Sequence, residues 1–272
     1  MKNLYYLYMK NLGQRHYYHM VTPSPWPFLT AFNLFVLIIG AISYMHYYGG
    51  YLFFYGLLNL IFIISLWVRD VIREGTYEGM HTKIVQKNLK FGFILFIISE
   101  IMFFFGFFWA FFHCSLSPAI EIGCIWPPYN ISVINPYKLP LLNTILLLLS
   151  GLYITICHIY MRLGMFEMVI QNFIKTLMCG FFFTFIQLYE YINAQFSIAD
   201  GIYGSIFYML TGFHGMHVLA GSIFIIICLI RTLLGHFSIV HHVGFECSVW
   251  YWHFVDIVWL FLYLFVYLWG NL

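Results

Sequence analysis

Residues 91–112 read FGFILFIISEIMFFFGFFWAFF, with one acid, Glu100, near the centre. The stretch is long enough to cross a bilayer core, which takes about 20 apolar residues as a helix. A lone carboxylate at the centre of such a helix is disfavoured by roughly 2.5–3.5 kcal/mol on insertion scales. A chain that keeps one must neutralise it, pair it or use it. The functional reading is a protonated carboxyl, or one facing a proton or lipid pathway. The structural reading is a carboxyl hydrogen-bonded to a neighbouring helix as a packing lock. Ionisable groups inside a membrane are functional by default, which favours the first.

The rest of the chain extends the same pattern. Of its 272 residues 62% are hydrophobic and only 8% charged, against about 25% charged in soluble domains. So few charges cannot cover a water-facing surface, and the chain reads as an all-α integral membrane protein. A net charge of +2 gives no reason to expect nucleic acid as a partner. Six cysteines (114, 124, 157, 179, 228 and 247) show no CxxC spacing, so neither a disulfide framework nor a thiolate metal site is expected. The N-terminus reads as neither a transit peptide nor a secretory signal, being tyrosine-rich, serine-poor and broken by Lys10.

Seven membrane helices are predicted, over 27–45, 51–71, 84–112, 139–161, 166–192, 201–233 and 244–268. The third and sixth are longer than a simple span and should tilt or protrude. Residues 1–26 form an N-terminal segment and 27–272 the seven-helix membrane domain. Lys2, Lys10, Arg15, Arg69, Arg73, Lys83, Lys87, Lys90, Arg162, Lys175 and Arg231 fall on one side. Only Lys138 falls on the other. Excess Lys and Arg remain on the side from which the chain inserts. This supports an odd number of crossings, with the N-terminus in a bacterial cytoplasm or a mitochondrial matrix.

Other polar residues have weaker readings. His253 and Asp256 lie three apart, hence on one helix face, as a mutually neutralising pair or a proton relay, with the structural role preferred. His214 and His217 in GFHGMH have spacing that would suit a metal, but Gly212 and Gly215 beside them favour close helix packing. His113 and His158 read as interfacial hydrogen-bonding groups. Residues 69–90 form the longest polar stretch and suit phosphate head groups. Trp26, Trp67, Trp126, Trp250 and Trp252 read as an interfacial aromatic belt. No histidine pairs suited to a haem, no nucleotide-binding glycine loop and no self-contained redox or hydrolytic centre is evident. An independent transporter would show broken helices or an inverted repeat, and neither is visible.

Six stretches carry a family resemblance: YHMVTPSPWP (18–27), RDVIREGTYEGMHT (69–82), ILFIISEIMFFFGFFWAFFHCSLSP (94–118), LPLLNT (139–144), GFHGMHVLAGS (212–222) and HHVGFECSVWYWHFVDIVWLFLYLFVYLWG (241–270). Together, in this order, they resemble cytochrome c oxidase subunit III from about Tyr18 to Gly270. The resemblance implies seven helices in a two-plus-five arrangement around a lipid-binding cleft. It also implies a core subunit without a redox centre in a proton-pumping oxidase fed by cytochrome c. Haem a and copper would sit in partner subunits I and II, with further small subunits around them and no metal in this chain. Glu100 matches the family's buried carboxylate. Arg73, Glu74, His81 and Arg231 match positions associated with phospholipid head groups, and Trp67 the first of a tryptophan pair flanking those lipids. Val68 stands where many members have the second. His253 and Asp256 match the last-helix motif. The compact length and the wealth of Phe, Tyr, Ile and Leu favour the mitochondrial inner membrane over a bacterial plasma membrane.

Overall fold

The computed structural model describes residues 16–271. Lys2, Lys10 and Arg15, and most of the N-terminal segment, lie outside the described residues. Seven helices are long and apolar enough to span a membrane, and no strand occurs among the described residues. They are α1 (Trp26–Met45), α2 (Tyr51–Thr76), α3 (Lys83–Leu116), α4 (Leu139–Leu163), α5 (Phe166–Asn193), α6 (Gly201–Leu233) and α7 (Val243–Phe261). A π-helical stretch, Leu262–Leu268, continues α7. The long helices are where they were expected: α3 has 34 residues and α6 has 33. At 1.5 Å per residue each is about 50 Å long, well beyond a core of about 30 Å.

Contacts divide the chain into two compact units, Met1–Leu89 and Lys90–Leu272. In the first, α1 and α2 form a hairpin whose backbones approach at two glycines. A Cβ on Gly40 would lie 2.5 Å from the Phe53 nitrogen, and one on Gly56 would lie 2.9 Å from Leu37 Cα. Small residues permit such approach, and dispersion then holds the helices where lipid offers no hydrophobic drive. Helix α2 runs five residues past its expected end and carries Arg73 in its last turn, where a cation meets the negative end of the helix dipole. Arg73 and Glu74 are therefore helical.

In the second unit α4 packs on α5, α5 on α6, α6 on α7, and α7 back on α4. Helix α7 is the best buried span and α3 (6% of its apolar window buried) the least. Helix α3 reaches its neighbours mainly through rings: Phe103 meets Phe213 of α6 at 4.9 Å, and Phe104 meets Phe254 of α7 at 6.1 Å. Gly164, at φ 76°, closes α4 in the left-handed conformation that glycine adopts without strain.

Two expectations fail here. Trp252 is wholly buried rather than interfacial. Its indole lies on Gly180 of α5 and Gly221 of α6, and its Nε1 donates to Ser150 Oγ of α4 at 2.8 Å. One ring of α7 thus touches three other helices, and the two glycines leave the space for it. Gly212 and Gly215, expected at a close helix contact, face open space: a Cβ on either would meet no described atom within 4 Å.

Candidate functional site

Glu100, near the middle of α3, faces His217, near the middle of α6. Glu100 Oε2 and His217 Nε2 are 3.0 Å apart, and both side chains are largely buried. The other ring nitrogen, Nδ1, lies 2.7 Å from the Phe213 carbonyl oxygen. That oxygen only accepts, so Nδ1 carries a hydrogen. The 3.0 Å contact then requires one proton between Nε2 and Oε2. Either the carboxylic acid donates to a neutral ring, or a carboxylate accepts from an imidazolium. Phe104 stands edge-on to the imidazole at 5.0 Å, and Tyr251 of α7 stacks on it at 6.3 Å. The arrangement therefore holds a transferable proton between two membrane helices, walled by aromatic rings.

His214, one turn before His217, turns elsewhere. Its Nε2 donates to the Val255 carbonyl at 3.2 Å, and its ring meets Phe183 and Trp259. The two histidines are not brought together as a ligand pair.

His253 and Asp256 share a face of α7, but His253 Nδ1 and Asp256 Oδ2 are 3.8 Å apart, longer than a hydrogen bond. Both turn to α4 instead. The Thr155 hydroxyl donates to the Gly151 carbonyl at 2.8 Å and accepts from His253 Nε2 at 3.2 Å. Asp256 Oδ2 lies against Gly151, where a Cβ would come within 2.5 Å.

The residues matched to lipid head groups fall in both units. In the first, Trp67 and Arg73 are exposed, and Glu74 and His81 are half-buried. Glu74 and His81 come together with His19, their potential donor atoms all within 4.8 Å of one another. In the second, the Arg231 guanidinium stacks on Phe237 at 4.4 Å and lies beside Gly244. Burial, and after it the Arg231 charge, push His236 and His241 down, which leaves both rings neutral near pH 7.

Several polar groups escaped the sequence reading. Glu190 of α5 is buried and accepts from the Tyr267 hydroxyl at 2.6 Å, with Gln187 Nε2 at 3.4 Å. Glu246 pairs with Lys90 and stands 3.6 Å from His242 Nε2. His158, His242 and Glu246 could together hold a metal ion, but the Lys90 ammonium already neutralises that carboxylate. His19 is another. The signal for Glu190 and Glu246 was the one that exposed Glu100, an acid inside an apolar run, but both lie close enough to a helix end to pass as interfacial.

The family model described as cytochrome c oxidase subunit III matches residues 16–271. A protein of Mus musculus named cytochrome c oxidase subunit 3 is 54% identical over 258 residues, covering 95% of this chain and 99% of that protein. The proteins of that name from Prototheca wickerhamii and Arabidopsis thaliana are 53% and 50% identical, covering 95% and 96% of this chain and 99% of each relative.

Proposed function

The chain belongs to the cytochrome c oxidase subunit III family, and from that premise we propose what it does inside the oxidase. As a membrane-spanning core subunit of that complex it works with other subunits, which replaces the independent-transporter reading. Its role is non-catalytic: subunits I and II carry haem a and copper and take electrons from cytochrome c, while this chain stabilises subunit I and supports proton uptake. Trp67, Arg73, Glu74, His81 and Arg231 serve to hold phospholipid head groups. His253 and Asp256 serve structure. The complex lies in the mitochondrial inner membrane, with the N-terminus of this chain in the matrix.

The observation that carries the proton role is the single proton required between Glu100 and His217. Glu100→Gln tests it in the intact oxidase. The amide offers both a donor and an acceptor, so it hydrogen-bonds His217 in either protonation state and preserves packing. It removes only the transferable proton. The variant should assemble with an unchanged haem spectrum and turn over more slowly, with fewer protons taken up per electron. The loss should stay below the roughly 10²-fold expected when a group acting on the reacting atoms is removed, because Glu100 would act through subunit I. Unchanged turnover and proton stoichiometry would leave the pair a packing lock.

A further inference from the structure

We propose that His19, Glu74 and His81 form a binding site for a divalent transition-metal ion, with Zn²⁺ the best match. The proposal goes beyond the lipid role given above to Glu74 and His81. The three residues come from the segment before α1, the last turn of α2 and the α2–α3 loop, all within the first unit.

The donor set is two imidazoles and one carboxylate, which suits Zn²⁺ and its borderline neighbours rather than Mg²⁺ or Ca²⁺. Three protein ligands leave a fourth position open to water or to another oxygen donor. His19 Nδ1 and Glu74 Oε2 are 4.0 Å apart, too far to hydrogen-bond. All three residues offer donor atoms within 4.8 Å of one another. Bond lengths near 2.1 Å in a tetrahedral site set ligand atoms about 3.4 Å apart, so small side-chain rotations close the set around one ion.

The framework is pinned. Thr82 Oγ1 donates to the Tyr17 carbonyl at 2.6 Å, which ties the His19 segment to the His81 loop. Gln86 Nε2 donates to the His81 carbonyl at 2.8 Å. Gly75 leaves room for the imidazole of His81: a Cβ there would lie 2.7 Å from its Nδ1. Only 11% of the His19 side chain and 17% of the Glu74 side chain are exposed. Asp70 and Glu78 add negative charge around Glu74, which favours a dication. Arg73 is near Asp70, but among the described residues no Lys or Arg pairs with Glu74 as Lys90 does with Glu246.

The test uses the purified oxidase, chelator-treated, and diethyl pyrocarbonate modification of histidines mapped by mass spectrometry. Zn²⁺ at about ten times its Kd should slow modification of His19 and His81 about tenfold, because modification then follows the metal-free fraction. The exposed His46 should be unaffected, and Mg²⁺ should protect neither site residue. Glu74→Gln, which keeps size and shape, should abolish the protection. Should that variant not assemble, His19→Gln should abolish protection of His81. Equal modification with and without Zn²⁺, protection of one histidine alone, or protection that survives Glu74→Gln would overturn the site. So would protection that vanishes on delipidation, since the ion would then be held by phosphate. Phosphorus retained per oxidase reads the lipid role separately, and its loss leaves Zn²⁺ protection intact.

Discussion

Trp252→Ala should destabilise the chain by about 3–5 kcal/mol, the range for removing a buried large aromatic from a core, and loosen its hold on the oxidase. The side chain has no exposed surface and fills a socket between Gly180 and Gly221, with Ser150 taking its N–H. In lipid the transfer part of that range shrinks, since the surroundings are apolar as well. The cavity and the lost dispersion contacts with α4, α5 and α6 remain. The glycines cannot collapse into the space, because they have no side chains to move. Trp252→Phe removes the indole N–H and also the six-membered-ring atoms that lie on Gly180 and Gly221, while Ser150 keeps donating to the Leu147 carbonyl. Its loss should exceed the average of about 0.6 kcal/mol for a hydrogen bond between membrane helices and stay below that of the alanine variant. The readout is the thermal midpoint of the purified complex together with the fraction of this chain lost in a detergent wash. An alanine variant as stable as the parent would show that the socket does not hold the four helices together.

Gly40→Leu should separate α1 from α2. The atoms that a Cβ would strike are the Phe53 nitrogen, the Leu52 carbonyl carbon and Phe53 Cα, at 2.5–2.7 Å. These are backbone atoms of a helix and cannot swing aside as a side chain would. Overpacking a tight core disfavours it by about 1–3 kcal/mol, and a full leucine at a backbone contact belongs at or above the upper end. Gly40→Ala should already be harmful. Gly106→Ala in α3 is the control, because a Cβ there meets no described atom of this chain within 4 Å. Native gels of mildly solubilised membranes would compare how much of each variant remains in the complex. Equal retention of Gly40→Leu and the parent would refute the contact.

The spans were legible in the sequence because the bilayer imposes one length and one composition on every crossing. Their polar ends were not. The run IREGT (72–76) reads as loop by hydropathy, yet α2 continues through it. Hydropathy marks where lipid stops, whereas a helix stops where its backbone hydrogen bonds do. Glu100 stood out because an unpartnered acid in lipid is strongly disfavoured. Its partner did not, since His217 lies 117 positions away and only helix packing selects it among the histidines of α6 and α7. Trp252 shows the converse. A tryptophan near a predicted helix end suits the interface by composition, but two glycines on other helices decide that this one is core. Those glycines could not be told apart by sequence from Gly212 and Gly215, which face open space. His19, Glu74 and His81 have no motif spacing, because three separate segments supply them.

The π-helical stretch at the end of α7 has a consequence for comparing sequences. With i→i+5 hydrogen bonds, such a turn holds one residue more than an α turn. Each residue of an α-helix advances its direction by about 100°, so the surplus residue changes the phase of everything after it. In this phase Tyr267 points its hydroxyl at Glu190. Deleting one residue between 262 and 268 would restore the ordinary winding and turn that hydroxyl away, stranding the acid. The surplus residue and the buried carboxylate on α5 are thus coupled through one hydroxyl, so a relative with a one-residue gap in this stretch should also lack the acid.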